Sequence, residues 1–285
     1  MDNDIRYLAH SAAFDYPDGT RALSEINLSI RRGEWAAILG SNGSGKTTLL
    51  RVLDGLLKDY TGRVLLDGAD VRKLSPREIY SKVGLVFQNP DDQLFAPTVF
   101  EDVAFGPRNM GCPEDEIGKR VAQALELVDM PHTAQKAVNA LSYGQKKRIC
   151  IAGLLAMGHE ILLLDEPTAG LDPMGEYRMM KLLKRLNREN GVTIVMATHS
   201  VDLVPIFIDS LYILSRGRIA RSGSPEEVFT APDEMAAVKL RLPYIAELIH
   251  KLKHEDQVQF GRIPLTVGEA RREIIKILEQ EGRKQ

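Results

Sequence analysis

The chain has 285 residues, 44% of them hydrophobic, with 37 Lys and Arg against 39 Asp and Glu for a net charge of -2. That supports one large core, or one core with an appendage, and the near balance of charge argues against broad contact with nucleic-acid phosphates. Cys112 and Cys150 lie far apart with no CxxC or Cys/His spacing, which indicates neither a disulfide framework nor a zinc site and fits a reducing cytoplasm.

The N-terminus "MDNDIRYLAH" is acidic and carries no apolar signal region, so a cytosolic chain is expected. The segments "IRYLAHSAAF", "LSEINLSI" and "GRVLLDG", with the turns "YPDGT" and Asp-Gly, read as short antiparallel strands. Compact apolar runs follow: "WAAIL", "VGLVF", "ILLL" and "TIVMA", separated by helical segments, the pattern of strands buried on both faces of a parallel sheet. Between the second and third runs, about residues 89–159, helix signals and loop residues predict an inserted helical subdomain. Its apolar run Ile149 to Met157 is about half of the roughly 20 residues that a membrane-crossing helix needs. Near the end, "SPEEVF" and the pair Thr266 and Glu269 read as capping boxes, and residues 231–285 as a small, mostly helical extension for packing or dimer contact.

Four strand ends carry chemistry. "GSNGSGKT", Gly40, Ser41, Asn42, Gly43, Ser44, Gly45, Lys46 and Thr47, matches the phosphate-loop pattern, follows an apolar strand and leads through Thr48 into a helical segment. Gly40, Gly43 and Gly45 are expected to adopt backbone conformations closed to other residues, so that N–H groups point at phosphate oxygens. Lys46 supplies charge to the β- and γ-phosphates, and Thr47 a hydroxyl to Mg²⁺. "ILLLDEP" ends a buried strand in Asp165, expected to face Mg²⁺ through water, and Glu166, expected to polarise the attacking water. His199, after "TIVMA", is placed to reach the γ-phosphate or that water, and Gln88, after "VGLVF", to sense Mg²⁺ and nucleophile. Taken alone, a histidine after a strand is more often a structural residue, and Gln88 by itself is weak evidence.

Read together, "GSNGSGKT", Gln88, "LSYGQ", "ILLLDEPTAGLDP" and His199 resemble the ATPase subunit of an ATP-binding cassette (ABC) transporter, over about residues 4–230. The resemblance implies an α/β P-loop ATPase with an N-terminal antiparallel β subdomain, a RecA-like parallel-sheet core and the inserted helical subdomain, followed by the extension. It implies ATP and Mg²⁺ as ligands, Tyr16 as the residue stacking on adenine, and Asp172 in "TAGLD" at a dimer interface. It further implies that two cassettes close head to tail, with Ser142, Gly144 and Gln145 of one subunit meeting the γ-phosphate held by the other. Lys146, Lys147 and Arg148 stand at the wrong end of the helix dipole, a disadvantage that a bound anion would offset. Where the family has two adjacent glycines, this chain has Tyr143 and Gly144. The helical first turn tolerates a side chain at Tyr143, which leaves Gly144 as the position the chemistry needs and Tyr143 as one it can spare.

The stretch "VGLVFQNPDDQLFAPTVFEDVAFGPRNMG" is similar to the energy-coupling-factor and cobalt-type importer ATPases. That branch implies a translocating ATPase on the cytoplasmic face of the cell membrane, peripheral to it. Its partners are a second ATPase subunit in a homo- or heterodimer, a transmembrane scaffold subunit and a substrate-binding membrane subunit, with no nucleic acid. Asp91 and Asp92 are candidates to meet basic residues of the scaffold. The cargo is expected to be cobalt, with nickel or a vitamin as alternatives. A soluble ABC ATPase acting on DNA or ribosomes lacks support, since there is one cassette and no sustained heptad arm.

Overall fold

The computed structural model describes residues 4–282. The strands β1 (Ile5–Asp15) and β2 (Arg21–Arg31) pair antiparallel across the "YPDGT" turn, where the Gly19 N–H donates to the Tyr16 carbonyl. Alternation in β2 buries Ile26, Leu28 and Ile30 and exposes the residues between them, as a sheet with one solvated face requires. The chain then enters a second sheet through β3 (Trp35–Leu39), forms α1 (Lys46–Leu53), and returns to the first sheet as β4 (Thr61–Leu66) and β5 (Ala69–Asp70). Asp67 and Gly68 take positive φ at that turn, the geometry of a two-residue hairpin, and the first sheet runs β2-β1-β4-β5.

After α2 (Pro76–Tyr80) and β6 (Val83–Val86) come three helices, α3 (Val99–Asn109), α4 (Glu114–Leu127) and α5 (Tyr143–Ala156), packed on one another. They occupy the segment between the second and third apolar runs. The chain then alternates β7 (Ile161–Asp165), α6 (Pro173–Asn190), β8 (Thr193–Thr198) and α7 (Val204–Phe207), and continues through β9 (Ser210–Ser215), β10 (Arg218–Gly223) and α8 (Pro225–Val228). The second sheet runs β10-β9-β3-β8-β7-β6. The four runs read as parallel strands are β3, β6, β7 and β8, but the sheet also contains β9, parallel to β3, and β10, antiparallel to β9. The core sheet is therefore mixed. Strand β10, "RIARSG", lies at the edge with no residue fully buried, so it lacks the apolar signal that marks the others.

Alternation in the buried strands divides the core. Trp35, Ala37 and Leu39 of β3 face the helices of the inserted segment and α6, whereas Ala36 and Ile38 face α1 and the antiparallel sheet. The same alternation in β7 sends Leu162 and Leu164 one way, Ile161 and Leu163 the other. At the C-terminal end, α9 (Pro232–Ala237), α10 (Tyr244–His254) and α11 (Val267–Gly282) follow the Ser224 capping box of α8. Leu240, Leu242, Ala246 and Leu265 join the helix-side core, and Arg241 pairs with Asp202, so this segment is fastened to the rest of the fold.

Asp54, at the C-terminal end of α1, is 4% exposed, and burial lifts its carboxyl to about 7. Because its folded-state value lies above the unfolded one, the folded state binds the extra proton, and stability falls as pH rises from about 4 to about 7. Asp54→Asn is expected to flatten this dependence, which thermal melts across that range will read.

Candidate active site

The parallel strands end level with one another: Leu39 of β3 lies beside Thr198 of β8, Asp165 of β7 beside Ala197, and Val86 of β6 beside Leu164. Every loop that leaves a carboxyl end therefore opens on one side of the sheet, where open α/β sheets bind ligands. A cleft of about 460 Å³ there is lined by Tyr16, Asn42, Gly43, Gly45, Lys46, Thr47, Thr48, Gln88, Asp165 and Glu166, among others.

The glycines of the phosphate loop are needed for two different reasons. Gly43 and Gly45 have φ of 77° and 105°, the left-handed region expected of them. Gly40 has no positive φ, contrary to expectation. A Cβ there would come within 2.4 Å of both the Leu214 carbonyl and Ser44 Oγ, so close packing is what requires a glycine. Ser41 and Ser44 support the loop from behind the cleft: the Ser44 N–H donates to the Ser41 carbonyl and the Ser44 carbonyl accepts from the Gly217 N–H.

Lys46 Nζ, 7% exposed, donates to the carbonyls of Gly40 (2.9 Å) and Ser41 (3.3 Å) and lies 3.5 Å from Glu166 Oε1. Thr47 Oγ1 donates to Asp165 Oδ2 at 2.6 Å. Burial raises the Asp165 carboxyl above the usual carboxylate range, against the pull of the Thr47 bond. Glu166 is buried with φ of 49°, and its Oε1 stands 2.9 Å from Nδ1 of the exposed His199. Tyr16 is half-buried, edge-on to Phe14, with its hydroxyl 3.0 Å from Thr48 Oγ1.

Ser142, Gly144, Gln145 and Asp172 do not enter this cleft. Together with Tyr143, Gly170 and Leu171 they line a separate cavity of about 590 Å³. Ser142 caps α5 with a reciprocal box: its Oγ accepts from the Gln145 N–H at 3.3 Å, and Gln145 Oε1 accepts from the Ser142 N–H at 2.9 Å. The Gln145 N–H is thus engaged within the helix, while those of Tyr143 and Gly144 are the first-turn donors that a helix cannot satisfy itself. Asp172 caps α6 through the Gly175 N–H.

The three cations that follow point in three directions. Lys146 pairs with Asp91 at 2.6 Å, Arg148 reaches the Val128 carbonyl and Asp129, and Lys147 turns inward. Each of the three therefore has a partner within this chain. Asp91 is likewise committed to Lys146, and Asp92 accepts from the Asn89 amide. Tyr143 makes contacts of its own: its hydroxyl donates to the Gln88 carbonyl and its ring rests on Gly170. Sequence reasoning missed Lys147, 1% exposed, whose Nζ donates to the Glu166 carbonyl at 2.7 Å. No motif marks it, and only the fold brings α5 beneath the end of β7.

A phosphate loop, an acidic strand end and a buried glutamate touching a histidine define an ATP-handling P-loop protein. Comparison with known proteins narrows this. The family model described as "ABC transporter" matches residues 23–169. A putative ABC transporter ATP-binding protein of Geobacter sulfurreducens is 70% identical over 275 residues, 96% of this chain and 99% of that one. The energy-coupling factor transporter ATP-binding protein EcfA of Methanocaldococcus jannaschii is 48% identical over 271 residues, 94% and 96% of the two chains. The solved structure of cbiO1 from Clostridium perfringens, part of the cbiONQ ABC transporter complex, is 45% identical with a TM-score of 0.76, covering 87% of this chain and 99% of that one. The chain belongs to the ABC transporter family and is an ABC transporter ATPase, similar to the energy-coupling-factor subunits.

Gly40→Ala is expected to weaken ATP binding by about tenfold or more, because the backbone carbonyl it would strike cannot rotate away. Gly43→Ala meets nothing within 4 Å and carries only the cost of a left-handed residue, about 1 kcal/mol. Equilibrium titration of both variants with ATP checks the order.

Proposed function

We propose that this chain is the ATPase subunit of an energy-coupling-factor importer, in which two cassettes hydrolyse ATP at composite sites and drive uptake of a trace metal, cobalt, through membrane partners. The observation that carries the composite site is the division of the chemistry. The phosphate loop, Asp165 and Glu166 line one cavity, Ser142, Gly144 and Asp172 another, and the two share no lining residue. A second subunit placed head to tail supplies what each cleft lacks, and the two free N–H groups at the start of α5 suit the terminal phosphate of a partner's ATP. The pairing is homo- or heteromeric.

Within the cleft, Gly43, Gly45 and Lys46 hold the phosphates, with Asn42 and Thr48 beside them and Gly40, Ser41 and Ser44 shaping the loop. Tyr16 offers the base a ring face. Glu166 takes the proton of the attacking water, and His199, on Glu166 Oε1, orients that carboxylate. Gln88 reaches the same cleft from β6. Thr47, Asp165 and Gln88 would hold Mg²⁺. The fit rests on hard oxygen donors, with a hydroxyl and a carboxylate already 2.6 Å apart, and on a buried carboxyl whose charge a cation would restore. When bound, the ion neutralises charge on the β- and γ-phosphates.

We take residues 4–230, with the helices of about 89–159, as the nucleotide-binding domain and 231–285 as an extension. Among the described residues no helix is long and apolar enough to cross a membrane. By its likeness to the energy-coupling-factor ATP-binding subunits, the chain would sit at the cytoplasmic face and reach the bilayer through a scaffold subunit and a substrate-binding subunit. The choice of cobalt rests on the resemblance of the sequence to cobalt-type importer ATPases; nickel or a vitamin are the alternatives.

Glu166→Gln is expected to lower ATP turnover by about a hundredfold or more while retaining ATP in a stable dimer. Turnover assays and size-exclusion chromatography with ATP read both, and wild-type rates in this variant would refute the assignment. For the cargo, the assembled complex is expected to take up labelled Co²⁺ in an ATP-dependent manner. Uptake of a vitamin with no uptake of Co²⁺ would overturn it.

A further inference from the structure

Tyr143 stands where the family signature carries glycine, and its side chain touches three parts of the machinery. The hydroxyl donates to the backbone carbonyl of Gln88 at 3.4 Å. The ring lies so close to Gly170 that a Cβ built on that glycine would come within 2.9 Å of Tyr143 Cε1, and Gly170 belongs to the "TAGLD" loop that follows Glu166. Lys147 Nζ lies 5.3 Å from the ring centroid, within cation–π range, and donates at 2.7 Å to the carbonyl of Glu166. One continuous path therefore runs from the glutamine loop through a phenol ring and a buried ammonium to the main chain of the glutamate.

We propose that Tyr143 and Lys147 are positioning residues for hydrolysis: Lys147 holds Glu166 in its left-handed backbone conformation, and Tyr143 holds Lys147 while fastening the Gln88 and Gly170 loops to the start of α5. A residue at φ of 49° keeps that conformation only if its surroundings fix it, and the carbonyl of Glu166 is fixed from below by a cation with few other places to go. Lys147 is 1% exposed, so its charge depends on the Glu166 carbonyl and the Tyr143 face to replace water. Burial also lowers the ammonium to about 8, which accords with so dry a setting. Removing the ring opens the ammonium to solvent and loosens its grip on the glutamate. The signature tyrosine thus acts on the ATP site of its own subunit, not solely on the one it completes across the dimer. This inference rests on Glu166 being the hydrolytic base.

The test is steady-state ATPase of the full-length chain, with kcat and KM for ATP resolved separately. Tyr143→Phe keeps the ring and is expected to retain kcat within about threefold, since the lost hydrogen bond is long. Tyr143→Leu and Tyr143→Gly are expected to lower kcat by about tenfold with KM within about twofold of wild type. Lys147→Met is expected to lower kcat at least as far, and adding Tyr143→Leu to it should cost little more, because both act through one contact. If Lys147→Met does not fold, Lys147→Gln takes its place in the cycle. Wild-type kcat in Tyr143→Leu, a raised KM at unchanged kcat, or independent multiplication of the two losses would each overturn the inference. Glu166→Gln assayed alongside separates the two readings. If it turns over like wild type, the assignment of the base fails; if it is inactive while Tyr143→Leu is unimpaired, only the present inference fails.

Discussion

The architecture depends on one alignment: β3, β8, β7 and β6 each stop within a residue of the neighbouring strand at their carboxyl ends. Parallel pairing of fully buried strands sets that alignment, and the apolar runs are held by packing on both faces, so no end can slip without exposing part of the core. Each loop then begins at a fixed height. The phosphate loop, Gln88, the Asp165–Glu166 pair and His199 meet because their strands run out together, although more than 150 positions separate the first from the last.

Charge in the site is paired within the protein itself. Lys46 is bonded to two carbonyls of its own loop, Thr47 to Asp165, and Glu166 to His199. Such pairing keeps buried charge tolerable and the groups near their working places, so binding exchanges partners instead of folding the loop anew. The same economy accounts for the basic run at the start of α5. Its three cations serve three different segments, the glutamine-loop region, the end of β7 and the end of α4, and together they tie the inserted helices to the sheet.

Much of this was legible in the sequence because the chemistry restricts spacing. A phosphate loop admits few residue patterns, and two acids ending an apolar strand are too costly to bury unless they hold a cation or move a proton, so Lys46, Thr47, Asp165 and Glu166 fall into one cleft as expected. The buried strands announced themselves by hydrophobicity, whereas β10 did not, since an edge strand can be polar and still pair. The reason for glycine at position 40 was misread because a close approach to Leu214, distant in sequence, cannot be seen in a motif. Tyr143 and Lys147 were hidden for a similar reason: their importance comes from what lies across the fold from them, and three adjacent cations look alike until each is seen to point a different way.

The left-handed backbone at Glu166 also bears on how such a protein can change over time. A glutamate is a poor occupant of that conformation, at about 1–2 kcal/mol, whereas asparagine or glycine adopts it with ease. Replacing Glu166 would relieve that backbone cost but would also take from the buried Lys46 the carboxylate that lies 3.5 Å from it, so the fold sets one effect against the other.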